Sequence, residues 1–345
     1  MKLSKKLILS VFIILMIFLV TSTYTFYQFS KIGTTTLLRT DENLGIKPKM
    51  SLKVNKLPLV DKEDPVEINE IQLQGKEIIN IAFFGLDRRD KNEPSRSDLI
   101  MILSIDEKHN KIKMSSIMRD TYVKIKDHGE TKINHAYAYG GPQLAIRTLN
   151  ENFNLDIRNY VAVDFFNCEK LIDAMGGVTI DISQEEISLI NGYMTEVANI
   201  EGKSVSEVTK AGIQDLNGLQ SVAYSRIRYT DGGDFVRTER QRTVLVAMLK
   251  KIQSLGVIEF PSIVSKLLPY TETSMNITEV FKLGKRAFTA KKMNLEQERL
   301  PVDGYCIGKI IDKVWYLVAD MESTVEQLHK FIYEDIKPVS KAPLF

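Results

Sequence analysis

Three apolar runs between Ile78 and Met118 restrict the fold more than any other stretch, because the links joining them are too short for a crossover. The first, I-I-N-I-A-F-F-G-L, ends at Asp87. R-S-D-L-I-M-I-L-S-I follows, and the turn D-E-K-H-N leads into K-I-K-M-S-S-I-M. Runs of this length and composition read as buried strands. So short a turn makes the second and third an antiparallel hairpin, and the loop from Asp87 to Asp98 lays the first antiparallel beside the second. The end of the first strand, the start of the second and the end of the third then share one sheet edge. Asp87, Arg88, Arg96, Asp98, Arg119 and Asp120 converge there from separate parts of the chain.

A second concentration of charge lies at Y-S-R-I-R-Y-T-D-G-G-D-F-V-R-T-E-R-Q-R, with Arg226, Arg228, Arg237, Arg240 and Arg242 beside Asp231 and Asp234. Helical spacing puts Arg237 and Gln241 on the same stripe as Val244, Leu245 and Met248. An arginine on a core-facing stripe needs a partner, since an unpaired buried charge is costly. A phosphate matches the planar guanidinium fork, and Asp234 is placed to cap the helix. The competing reading is a surface helix with solvated i, i+4 pairs.

The ends and the composition bound the rest. Residues 1–6 carry three lysines, and residues 7–30 run for 24 residues without a formal charge, long enough for a membrane-spanning helix. Tyr24, Phe26, Tyr27 and Phe29 suit its outer interface. The lysines put the N-terminus in the cytoplasm and the remainder outside, and no small-x-small cleavage site follows the span. Residues 31–75, broken by Pro48, Pro58 and Pro65, read as an extracytoplasmic stalk, partly paired as strands, with a folded domain from 76 to 345. A net charge of +2 argues against nucleic acid as a partner. Cys168, Cys306 and the four histidines show no zinc spacing; the two cysteines read as isolated core residues.

Beyond the three strands, helices are expected at Gly141–Asn154 and Asn167–Met175, closed by Gly176-Gly177, and strands at Arg158–Asp164 and Val178–Ile182. Residues 183–210 form an amphipathic insertion, either flanking a cleft or plain scaffold. Helices at Leu216–Tyr224 and from Phe235 deliver the arginines, and residues 256–345 complete the fold. Strands alternating with helices predict a layered α/β/α domain around a mixed sheet, preceded by one transmembrane helix. Tyr137 and Tyr139 read as core.

The motifs F-G-L-D, R-S-D, S-I-M-R-D-T-Y-V, K-I-N-H-A-Y-A-Y-G-G, D-A-M-G-G-V, L-N-G-L-Q-S-V-A-Y-S-R-I-R and G-D-F-V-R-T-E-R-Q-R, in that order over 78–252, resemble the LytR-CpsA-Psr (LCP) family of bacterial cell-wall assembly. The resemblance implies a membrane-anchored, extracytoplasmic phosphotransferase of a Gram-positive-type bacterium. Such an enzyme moves an anionic glycopolymer, of teichoic acid or capsular type, from an undecaprenyl-pyrophosphate carrier to peptidoglycan with Mg²⁺; no obligate protein partner is implied.

Matched position by position, Asp87 and Asp98 correspond to the magnesium-site aspartates. Arg96, Arg119, Lys132, Arg226, Arg228, Arg237 and Gln241 correspond to pyrophosphate-binding positions, with Arg119, Arg228 and Asp234 in catalytic roles. Met118 stands where the family usually has proline, and the Arg228–Asp234 spacing is one residue shorter than in some members. The lipid tail would run between sheet and helices along Leu144–Leu149, Leu171–Met175 and Val244–Met248. The alternatives are a polyprenyl-pyrophosphate pyrophosphatase and a membrane-anchored regulator of envelope genes.

Overall fold

The computed structural model describes residues 33–47, 78–87, 94–202, 204–227, 233–289 and 293–341. In chain order its strands are β1 (Gly33–Thr34), β2 (Ile79–Leu86), β3 (Ser97–Asp106), β4 (Lys111–Ile117), β5 (Tyr122–Ile125), β6 (Gly129–Lys132), β7 (Asn159–Asp164), β8 (Val178–Ile182), β9 (Gly212–Leu216), β10 (Glu272–Thr273), β11 (Asn294–Leu300), β12 (Cys306–Ile311) and β13 (Val314–Ala319). The α-helices are α1 (Asp41–Leu44), α2 (His135–Phe153), α3 (Phe165–Ala174), α4 (Gln184–Glu201), α5 (Gly218–Arg226), α6 (Gly233–Leu267), α7 (Ile277–Thr289) and α8 (Met321–His329).

A seven-stranded mixed sheet runs in the order β1-β10-β7-β2-β3-β4-β11. As expected from the short links, β3 lies antiparallel between β2 and β4. β7 runs parallel to β2, and β11 runs parallel to β4 along the far edge. Alternation along the strands divides the core in two. Ala82, Phe84, Ile100 and Ile102 meet α2 and α8 on one face through Ile146, Leu149 and Leu328. Leu99, Met101 and Met114 meet α3, α5 and α6 on the other through Ile172, Tyr224, Val244 and Met248. Helices therefore cover both faces of the sheet.

Three expectations need correction or a boundary. Residues 33–47 belong to the domain, not to a stalk: β1 pairs with β10, and Leu37 and Leu44 are core residues. Leu37 stands beside the exposed Leu38, and polar residues separate the pair from Leu44 and Ile46, so the spacing follows neither a strand nor a helix period and left no pattern to read. Residues 48–75 and the apolar run 7–30 lie outside the described residues; among those described, no helix is long and apolar enough to cross a membrane. Tyr137 is buried against Phe84 as expected, whereas Tyr139 is exposed and stacks on His128.

Helix α2 begins one turn and more before its expected start and breaks where that start was placed. Gly140 and Gly141 are non-helical there, and Pro142 opens the second segment, a position where its missing N–H costs nothing. Gly141 has φ 59° and ψ −155°, a conformation nearly confined to glycine, with open space where a Cβ would sit. Gly141→Ala should therefore destabilise the fold through backbone strain alone, by roughly 1–3 kcal/mol, read as a lower urea midpoint with an unchanged slope.

Candidate active site

The site is built around a β-bulge. Gly85 pairs with Leu99 and Leu86 with Ser97, so Asp98 is the extra residue between them. A bulge re-aims the side chain it carries. Gly85 permits the close approach: a Cβ there would lie 2.8 Å from the Cβ of Leu99. Asp98 is buried, and each carboxylate oxygen takes a guanidinium. Arg119, just past the end of β4, donates Nη1 to Oδ1 at 2.8 Å. Arg237, in the second turn of α6 and 139 residues along the chain, donates Nη2 to Oδ2 at 2.7 Å. Burial alone would raise the Asp98 pKa, but Arg119 and Arg237 outweigh it and hold the carboxyl below its ordinary range. Two distant segments are thus clamped by one ionised group.

From Arg119 the charges continue outward. Its Nε lies 3.3 Å from Oδ2 of Asp120, whose Oδ1 meets Nζ of Lys132 at 2.5 Å. Asp120 therefore joins the cluster as a bridge between two cations. His135 lies beside it: burial, then the nearby Arg96 and Lys132, depress its pKa against the pull of Asp120, keeping the ring neutral near pH 7. Its Nδ1 is 3.0 Å from Oγ1 of Thr131. The contact chain Arg237–Asp98–Arg119–Asp120–Lys132 carries three cations against two carboxylates. A partly desolvated cation excess of this kind suits a multiply charged anion.

The remaining predicted residues are placed differently. Arg226 ends α5, with its guanidinium carbon 5.9 Å from the Tyr193 ring centre. Arg96 is exposed at the start of β3, where its carbonyl accepts the backbone N–H of Asp87 at 3.3 Å; Asp87 itself is exposed at the end of β2. Arg88, Arg228 and the side chain of Asp234 lie outside what is described. Arg240 is a supporting residue, buried with Nε 2.8 Å from Glu186 and Nη1 donating to the Ile227 carbonyl at 3.4 Å. Helix α4, in the insertion of uncertain role, supplies both Glu186 and Tyr193. Ser183 with Glu186 three residues on is a capping-box signature, and Glu186 does reach back to the Ser183 N–H; its pairing with Arg240 left no trace in the sequence.

Next to the cations opens an apolar cleft. Phe83, Gly85, Leu99 and Val163 form the sheet side, and Gln241, Val244, Leu245 and Met248 form the α6 side. Gln241 is one turn from Arg237, so one helix face runs from the ion cluster into the cleft. Burial pushes the Cys168 thiol in the wall up to about 12, leaving it protonated and apolar. Of the three expected linings, only Val244–Met248 contributes to this cleft. Residues around Leu171 pack in the same core layer away from it. Ala145, Ile146 and Leu149 pack against the opposite sheet face, in the same core as Ala136 and Tyr137 from before the break in α2.

Comparison with known proteins gives a consistent set of similarities. The chain matches the LytR_cpsA_psr family over residues 48–331. It is 32% identical over 276 residues, covering 77% of this chain and 79% of the relative, to a polyisoprenyl-teichoic acid–peptidoglycan teichoic acid transferase TagU of Oceanobacillus iheyensis. It is also 32% identical over 209 residues, 60% of this chain and 59% of the relative, to the regulatory protein MsrR of Staphylococcus aureus. A solved structure of TagT bound to LI-WTA is similar with a TM-score of 0.60 at 25% identity, covering 76% of this chain and 91% of that one.

Proposed function

The chain belongs to the LytR_cpsA_psr family, and on that premise we propose that it is a phosphotransferase that moves an anionic glycopolymer from a polyisoprenyl-pyrophosphate carrier to peptidoglycan. The observation that carries this reading is the junction of cleft and cation cluster along α6. A ligand with a diphosphate head and a long apolar tail satisfies both halves of that junction; a soluble phosphate ester satisfies only one. The TagU name of a relative points to the same pair of substrates. The carrier being undecaprenyl and the polymer being of teichoic acid type are parts of the proposal, as is a membrane-anchored domain facing the outside.

In the proposed reaction an acceptor hydroxyl oxygen attacks the phosphorus nearer the polymer. The bond from that phosphorus to the bridging oxygen breaks, and polyprenyl monophosphate leaves with the electron pair. The hydroxyl proton passes to a base, for which Asp234 is the candidate, with Arg228 as a further candidate contact to the phosphates. Arg119 and Arg237 would neutralise the non-bridging oxygens, the main task in phosphoryl transfer. Lys132, Arg226 and Arg96 would add positive potential around the head group, and Gln241 would hold it where the tail begins.

Magnesium is part of the proposal, with Asp87 and Asp98 as its ligands. The donor set fits a hard cation. Both are carboxylates at the same sheet end, and Asp98 is held ionised by its two arginines. When bound, the ion supplies further charge neutralisation on the phosphate oxygens.

The test is to incubate the whole chain with lipid-linked teichoic acid, peptidoglycan fragments and Mg²⁺, and to identify the products by mass spectrometry. A polymer–glycan phosphodiester with polyprenyl monophosphate is expected. Polymer phosphate released without linkage would make the protein a pyrophosphatase, and unconsumed donor would overturn the reading.

A further inference from the structure

We infer that the β12–β13 hairpin is a platform for the acceptor: the indole of Trp315, beside Tyr316 and Lys132, stacks on a sugar ring of the peptidoglycan strand. This inference rests on the transferase reading above, and it adds a subsite to it.

Trp315 is the only tryptophan in the chain and 43% of it is exposed. Such a residue on the outside of a folded domain asks for a binding role when its surroundings are built to present it. They are. The indole lies across Gly308 on the neighbouring strand, where a Cβ would come within 2.7 Å of its Nε1. The glycine lets the ring rest against the hairpin backbone while much of it stays exposed, with Lys132 Nζ over the ring. Tyr316 packs edge-on against Tyr122 of β5, with ring centres 4.8 Å apart. The hairpin is tied to the active-site segment, since the Leu317 N–H donates to the Asp120 carbonyl at 2.9 Å and Thr121 bridges to Leu317.

Position selects the occupant. Lys132 lies 5.9 Å from the ring centres of both Trp315 and Tyr316, and it pairs with Asp120, which pairs with Arg119. The contact chain therefore has the lipid cleft and Arg237 at one end, Asp98 and Arg119 in the middle, and Trp315 at the other. In-line displacement places the attacking and leaving oxygens on opposite sides of phosphorus. With the leaving lipid phosphate held at the cleft, the attacking hydroxyl arrives from the hairpin side. The groups there suit a glycan: a flat aromatic surface for the C–H face of a pyranose, and Lys132 and Asp120 for its polar substituents.

Because the chain holds one tryptophan, its emission reports on this site alone. The whole chain is titrated in parallel with soluble peptidoglycan glycan strands, with phosphatidylglycerol vesicles and with lipid-linked polymer. Kinetics of Trp315→Ala and Trp315→Phe are measured alongside. A saturable emission change with glycan strands and none with vesicles is expected. Trp315→Ala should raise the acceptor KM about tenfold with donor KM and kcat within twofold, and Trp315→Phe should recover part of that loss. Response to vesicles alone would make the hairpin a membrane contact, a rise in donor KM would assign it to the polymer's sugar, and no response to glycan would remove it as a platform; each overturns the inference. The emission arm needs no turnover, so glycan binding without transfer would sink the transferase reading and leave the platform standing.

Discussion

Alanine in place of Arg119 is expected to lower kcat/KM for polymer transfer by about 10³-fold or more, the scale on which phosphoryl-transfer enzymes depend on a transition-state arginine. The side chain sits between the buried carboxylate of Asp98 and the outward bridge through Asp120, where a diphosphate would meet both the cleft side and the acceptor side. Stability should change little, because Asp98 keeps its bond to Arg237 and Arg119 is partly exposed. Arg119→Lys should recover only a minor share of the rate, since one ammonium cannot reproduce a planar fork that holds two groups. Steady-state kinetics with thermal unfolding of the same samples decide the matter. A loss of less than tenfold, or a collapse in stability of similar size, would deny Arg119 a direct part in the transfer step.

Asp98→Ala is expected to act on the fold as well as on the rate. It leaves Arg237, buried with 3% of its surface exposed, without the carboxylate that faces it, and sets that guanidinium near Arg119 with no anion between. Removing one member of a buried pair costs about 3–5 kcal/mol. The pH dependence has a definite sign. Asp98 has a folded-state pKa below its unfolded value, so its contribution is fully present above the unfolded carboxylate range and is lost as pH falls through the lowered folded pKa. The wild type should therefore lead the variant at neutral pH, and the gap should close only in strong acid. Inorganic pyrophosphate offers an independent check, because an anion that settles between the two arginines replaces the missing charge. Its stabilising effect should be larger on Asp98→Ala than on the wild type; an equal or smaller effect would mean that the arginines do not share an anion site.

What could be read from the sequence followed from local constraints. The β2–β3–β4 arrangement came from three apolar runs and two short links, and the α6 stripe came from helical spacing alone. The first gathers Asp98 and Arg119 at one sheet edge; the second says only that Arg237 needs a partner, and that this partner is Asp98 rather than a phosphate is seen only in the structure. The details that finish the site are not periodic. One extra residue at Asp98 turns its side chain to face α6, and a single-residue bulge leaves the apolar pattern almost unchanged. β11 reads N-L-E-Q-E-R-L, too polar for a recognisable strand, yet it extends the sheet because an edge position beside β4 needs only backbone partners. Glu186 and Arg240 meet across 54 residues with nothing local to announce it. The apolar cleft was no more legible: α2 and α6 carry comparable apolar stripes, and only the side of the sheet each occupies separates packed core from open cleft.

Calorimetric titration with a short-chain polyprenyl pyrophosphate tests the central claim most directly, using the wild type, Arg119→Ala, Arg237→Ala and the double variant. If both guanidiniums grip one diphosphate above the apolar cleft, each single variant should lose tenfold or more in affinity, and the corresponding monophosphate should bind the wild type markedly less well. The two losses should also fail to add, because the residues share Asp98 as well as the ligand. Wild-type affinity in both single variants, or equal affinity for the two head groups, would contradict the account.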